Sequence, residues 1–475
     1  MAEDRAAIER DIIGKVWTTD ETYRNLLYLC DDLGSRFCGS PSEHRAAEFL
    51  VEKMRSYGLH NVHLEEFPVY TWERGTCRLD VLDPLPRAFD VIAMPYCGSC
   101  DVTGELIDVG EGEPADYERL GDITQGKIIL TDAETNTGPG QRASHRAEKF
   151  RFAIEAGAVA VIFTNRNPGL LPISGALYAK NPGGDEDADH ESPVPGVGVS
   201  FETGQALRRV LDRGATTVRL QAQNRTYLSR SYNVIGDVPG SGATANEIVL
   251  FGGHYDGHDV AQGAADDGAG TLVGLEVGRV MAPYGGQLKR TLRIICFGSE
   301  ETGLLGSWRH ADSYFAEDAR EQLRFVMNLD GAGRGMGGQD TVAVTGDASL
   351  VPYFERFAEE QHYAFEVTTR VSPHSDHFPF FLKGVPSATL NSRDWTSGMI
   401  GRGWGHTAAD TVDKVHLRGM QSSAAFAARV ALALTMDDEL PFVDRSQDEV
   451  RGLLEQAGRL DVFEHHWARA NRADV

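Results

Sequence analysis

Three apolar runs of strand length end in residues that hold metals. Ile248-Val249-Leu250-Phe251 leads through Gly252-Gly253 to His254. Leu292-Arg293-Ile294-Ile295-Cys296-Phe297 leads through Gly298-Ser299 to Glu300-Glu301, and Phe325-Val326-Met327-Asn328-Leu329 leads to Asp330. Continuous apolar runs of this kind read as strands buried on both faces. In an open α/β sheet, ligands bind beyond the carboxyl ends of the strands. Distant segments therefore deliver His, Glu and Asp to one sheet edge, and with Asp266 and His406 they form the donor set of a two-metal hydrolase.

From Tyr232 to Met436 strands alternate with helices, the pattern of an α/β fold with a mixed, largely parallel sheet sandwiched by helices. At 475 residues the chain needs two or three cores. Ser40-Pro41-Ser42-Glu43 is a capping box that starts a helix ending near Gly58, and Asn61 to Phe67 alternates as a strand. From about Leu82 Pro, Gly and Asp become frequent, short β-like runs appear (Lys127–Leu130, Val159–Phe163), and no ligand candidate occurs before Arg225. The expected division is 1–81 as the N-terminal part of the catalytic domain, 82–225 as a β-rich, non-catalytic insert, 226–440 as the catalytic domain and 441–475 as a C-terminal helical segment, with a helix from Gln447 to Arg469.

The net charge of −24 excludes nucleic acid and anionic membrane as partners. No apolar run is long enough to span a bilayer. Met1-Ala2-Glu3-Asp4-Arg5 is charged and lacks a signal-peptide core, so a cytoplasmic setting is expected. The six cysteines are too sparse for a disulfide scaffold. Cys97-Gly98-Ser99-Cys100 has redox spacing, but no second pair completes a metal site, so it reads as structural. The acidic run Gly184–Asp189 reads as a solvated loop, with a calcium site as the minor alternative.

His254 reads as a metal donor and Asp256, two residues on, as the carboxylate that orients its ring. Asp266 is the candidate bridge between two metals, which a shared carboxylate would hold about 3.5–4 Å apart; in isolation it could equally cap the following helix. Two adjacent acids at a sheet edge are costly without partners. The division of labour that fits is Glu301 on a metal and Glu300 on the attacking water, taking its proton and passing it to the leaving amine. Asp330 completes one of the two shells. His406 supplies the last imidazole, with Asp410 nearby to orient it. Asp376 and His377 are expected in the substrate pocket, and the remaining twelve histidines on the surface or in the core.

These motifs, in this order, closely resemble the M28 family of zinc peptidases. The matching stretches are Gly252–Asp256, Gly263–Gly270, Ser299–Gly303, Asn328–Gly331, Ser375–His377, and His406-Thr407 with Asp410-Thr411. The resemblance covers roughly Tyr232 to Met436. It implies the zinc-exopeptidase fold and two zinc ions, one on His254, Asp266 and Asp330, the other on Asp266, Glu301 and His406. It further implies Glu300 as general base and a cis bond between Asp266 and Asp267. The insert resembles a protease-associated (PA) domain through Ala156–Ile162 and the stretch from Val194 to Leu207. Asp259–Gly263 is similar to carboxypeptidase Q-like members, which act on short unblocked peptides. Several relatives carry Tyr before the last histidine, where this chain has Gly405, so oxyanion support passes to zinc, His377 or another group.

The expected function is a zinc exopeptidase acting on short unblocked peptides, as aminopeptidase or dipeptidase. A carboxypeptidase, a metal-free receptor and a single-zinc cyclase on the same scaffold are the alternatives. The expected partner is a peptide substrate. The insert is expected to cap the cleft or to join subunits, which makes a homodimer one of the expected assemblies.

Overall fold

The computed structural model describes residues 2–135, 143–177, 191–316, 322–336, 340–392 and 403–460. The acidic run Gly184–Asp189 lies outside them, as does the chain beyond 460; the C-terminal helix is described as Gln447–Gln456. Two eight-stranded sheets organise the chain.

Strand β1 (His60–Glu73) belongs to the first sheet. The chain then enters the second sheet with β2 (Cys77–Asp83), β3 (Arg87–Phe89), β4 (Ile92–Ala93), β5 (Cys100–Gly110), β6 (Ile128–Asp132), β7 (Ala160–Thr164), β8 (Gly196–Val199) and β9 (Thr217–Ala222). It returns with β10 (Arg225–Val238), β11 (Ile248–His254), β12 (Thr291–Phe297), β13 (Leu323–Asn328), β14 (Asp340–Thr345), β15 (Glu366–Arg370) and β16 (Ser387–Ser392). The first sheet runs β1-β10-β12-β11-β13-β16-β14-β15, and the second β3-β2-β9-β5-β6-β7-β8-β4. β12, β11, β13 and β16 are mutually parallel, while β1 and β10 form a long antiparallel flank that ends at the entry to the second sheet.

Alternation along the central strands sorts their side chains between two cores. Val249 and Phe251 of β11 face a core built with the helices Ala269–Met281 and Leu417–Met436. Ile248 and Leu250 face the opposite core, shared with Ile295, Phe297 and Phe380. Every residue of β11 is buried, as a strand covered on both faces requires. Each fully buried side chain of this size contributes about 1.5–3 kcal/mol relative to exposure.

The helix Pro41–Ser56 begins as expected, with the Ser40 hydroxyl accepting from Glu43 N. The Glu43 carboxylate does not close the box on Ser40. It turns inward and accepts from Gly39 N, Ser231 Oγ and Ser299 Oγ. Among the described residues, no helix is long and apolar enough to cross a membrane.

Candidate metal centre

Parallel register aligns the strand ends that carry the site. His254 of β11 stands beside Phe297 of β12, three residues before Glu300, and Gly252 stands beside Asn328 of β13, two residues before Asp330. The fourth segment approaches through glycine. A Cβ on Gly270 would lie 2.2 Å from the carbonyl oxygen of Leu329, so only glycine lets the helix that follows Asp266 lie against the end of β13. The Asp266–Asp267 peptide is cis, as the resemblance implies. Ser299 and His406, both non-glycine, take left-handed backbone (φ 58° and 62°), a conformation that persists where surrounding contacts hold it.

The donors gather into two sets. Donor atoms of His254, Asp266 and Asp330 lie within 4.8 Å of one another, and so do those of His258, Glu301 and His406. Asp266 faces both sets: one oxygen is 3.7 Å from His254 Nε2 and the other 3.5 Å from His406 Nε2. Glu301 Oε2 is 3.0 Å from His406 Nε2 and 3.0 Å from His258 Nε2. Glu300 Oε2 is 3.9 Å from His254 Nε2. The structure thus brings together His254, Asp266, Glu300, Glu301, Asp330 and His406, and adds His258.

A shell of fixed contacts holds these groups. The Asp256 carboxylate accepts from the amides of Glu300 (3.0 Å) and Glu301 (3.2 Å) and lies 3.4 Å from His254 Nδ1. Arg334 donates to Asp266 Oδ1 (3.2 Å), Asp330 Oδ1 (3.3 Å) and the Ala265 carbonyl (2.6 Å). Ser375 Oγ donates to Asp330 Oδ2 at 2.6 Å. Asp410 does not orient His406. Its carboxylate instead accepts from the amides of Ala265 and Asp266, and His406 Nδ1 faces the Ser174 carbonyl at 3.3 Å. An acid four residues from a histidine marks proximity, but here the backbone of the bridging segment claims that acid.

Electrostatics separates the two adjacent glutamates. Burial pushes the Glu300 carboxyl well above the usual range, with Glu301 and Asp376 adding to the rise against the opposing pull of His254. The Glu301 carboxylate is buried too, yet the imidazoles of His258 and His406 hold it well below that range. His377 is pushed down to about 3 by burial and by Arg370, and so stays neutral near pH 7.

A cavity of about 170 Å³ opens onto the first donor set, lined by Asp266, Glu300, Asp330 and Arg334 together with Arg370, His374, His377 and Asn391. His377 lies in this cavity. Asp376 is fully buried at the start of the helix His377–Leu382 and is not among the lining residues. Sequence reasoning missed His258, Arg334 and the Ser174 carbonyl; for His258 the available signal was a second imidazole four residues after His254, in the same strand-end loop.

Residues 233–431 match Peptidase family M28, and residues 102–207 match the PA domain. Carboxypeptidase Q of Mus musculus is 27% identical over 334 residues, 69% of this chain and 67% of that protein. Aminopeptidase YwaD of Bacillus subtilis (strain 168) is 26% identical over 451 residues, 93% of this chain and 89% of that protein. Among solved structures, an aminopeptidase from Aneurinibacillus sp. strain AM-1 aligns with a TM-score of 0.66 at 26% identity, covering 92% of this chain and 98% of that one. Fold, ordered motifs and these relatives agree that the chain is a peptidase, with residues 233–431 similar to Peptidase family M28 and residues 102–207 to the PA domain.

Proposed function

We propose that this peptidase is a two-zinc exopeptidase that hydrolyses short, unblocked peptides from the amino end or as dipeptides. The observation that carries the reading is the pair of donor sets facing a shared Asp266, with the Glu300 carboxylate beside them at the cavity. The donor chemistry fits zinc: imidazole and carboxylate are the ligands it takes. So many buried carboxylates are costly to hold together without cations between them. His254, Asp266 and Asp330 would hold one ion, and Asp266, Glu301 and His406 the other. When bound, the metals supply Lewis acidity, polarising the scissile carbonyl and acidifying water towards a pKa of ~7.

The chain's own groups do the rest. Glu300 accepts the proton of the attacking water at its carboxylate and delivers it to the leaving amine. Asp256 positions both glutamates through their amides and orients the His254 ring. Neutral His377 offers a hydrogen bond inside the cavity. Burial pushes the Asp376 carboxyl up to about 7, against the pull of His254. The chain divides into 1–81, 82–225, 226–440 and 441–475, with the insert reaching the centre through Ser174.

One observation favours a second reading. Arg370 is exposed and lines the same cavity as Glu300, where its guanidinium can take a substrate carboxylate. This supports dipeptidase or carboxypeptidase action, in keeping with the relative named carboxypeptidase Q. The test is a mixture of free, N-acetylated and C-amidated peptides incubated with the zinc-loaded protein and followed by mass spectrometry. Loss of residues only from free amino termini supports the aminopeptidase; cleavage that tolerates acetylation but not amidation moves the assignment to the carboxyl end. No cleavage of any peptide overturns both.

A further inference from the structure

We propose that His258 is a third imidazole donor of the metal centre, joining Glu301, His406 and the shared Asp266 at one of the two metal positions. The proposal rests on the two-metal reading above and extends its donor set.

His258 sits on the loop between β11 and Asp266, and that loop is tied down on both sides of it. The fully buried Arg36 donates to the carbonyls of Tyr255 (2.6 Å), Gln262 (2.5 Å) and Gly263 (2.8 Å). Arg74 grips the next residue, Asp259, through both carboxylate oxygens at 2.7 and 2.8 Å. A side chain whose neighbours are fixed in this way is preorganised, as a donor must be.

The imidazole is 3% exposed, and its Nε2 lies 3.0 Å from Glu301 Oε2. Beyond that contact, neither ring nitrogen has a hydrogen-bond partner among the described residues. The His406 ring stands edge-on at 4.2 Å. A core histidine kept for structure would aim an N–H at the carboxylate beside it. Here two imidazoles crowd one glutamate oxygen instead, each with Nε2 at 3.0 Å, the arrangement of donors that converge on a common ion. Donor atoms of His258, Glu301 and His406 lie within 4.8 Å of one another, so a single ion can reach all three.

The consequence is asymmetry. With Asp266, whose second oxygen faces His406, this position would have four protein donors, whereas His254, Asp266 and Asp330 would supply three to the position beside the cavity. The position that includes His258 should therefore be the tighter of the two.

The experiment compares the full chain with His258→Phe, which keeps a ring of similar size but removes both donor atoms. Zinc affinities are read by competition with a chelator, and the cobalt(II)-substituted proteins by electronic absorption. The expected result is that His258→Phe loses at least about 10-fold in affinity at one position only, with a changed cobalt spectrum for that ion. Equal affinities and an unchanged spectrum would overturn the proposal while leaving the two-metal reading intact. Should His258→Phe fail to fold, X-ray absorption of the zinc-loaded natural protein decides: three imidazoles per zinc pair support the assignment, and two overturn it. A natural protein that binds no zinc removes both readings.

Discussion

His406 Nδ1 lies 3.3 Å from the carbonyl oxygen of Ser174, so the segment between the strands of the second sheet touches the metal centre itself. A second bond, Ser174 N to the His406 carbonyl at 2.8 Å, completes the pair. An imidazole held at Nδ1 presents Nε2, the atom that faces Glu301 and Asp266. The insert thus holds the His406 ring through the backbone of Ser174.

That relationship can be tested next to Ser174. A Cβ on Gly175 would fall 1.9 Å from Nη2 of the buried Arg146, and the backbone there has φ +143°. Gly175→Ala should displace the Ser174 carbonyl and weaken zinc at one position by about 10–100-fold. Chelator competition measures it, with circular dichroism to confirm folding; an unchanged affinity would show that His406 needs no help from the insert.

Glu300→Gln keeps the size of the side chain but cannot take a proton. It should retain both zincs and lose about 10²–10⁴-fold in kcat. Elemental analysis and steady-state kinetics on the same sample check this. A metal-replete variant with near-natural kcat would remove Glu300 from the proton-transfer role.

Asp266 and Asp330 should differ in kind. Because the two Asp266 oxygens face two different imidazoles, Asp266→Ala should weaken metal binding at both positions, whereas Asp330→Ala should weaken it at one. Equal losses in the two variants, read as zinc per chain, would argue against a bridge.

Lys149 gives a pH dependence away from the site. Burial brings its ammonium down from 10.5 to about 8, although Glu113 and Asp132 pull the other way, and its Nζ donates to the Asp132 carbonyl at 2.9 Å. A depressed lysine favours folding when neutral, so its contribution is present above pH 10.5 and is lost as pH falls through about 8. The unfolding midpoint should rise between those two pH values and should rise less in Lys149→Met. Equal slopes would contradict the assignment.

The sheet and most of its edge were legible because apolar runs buried on both faces leave an unmistakable pattern, and His254, Glu301 and Asp330 follow such runs directly. Asp266 and His406 were legible from the motif order alone. His258 was not, since a loop histidine has no periodicity and its partner Glu301 comes 43 residues later. Arg334 was hidden for a related reason: it acts on carboxylates delivered by two separate segments. Ser174 contributes a backbone carbonyl, which any residue carries, so no side-chain pattern could mark it. Asp410 was visible as an acid near His406, but only the fold shows that the amides of Ala265 and Asp266 claim it.

Zinc content after saturation and removal of loosely held ions reports whether two metals share Asp266. Two zincs per natural chain, falling to at most one in Asp266→Ala, is the predicted result. A natural chain that holds no more than one, or an Asp266→Ala chain that still holds two, would contradict the account.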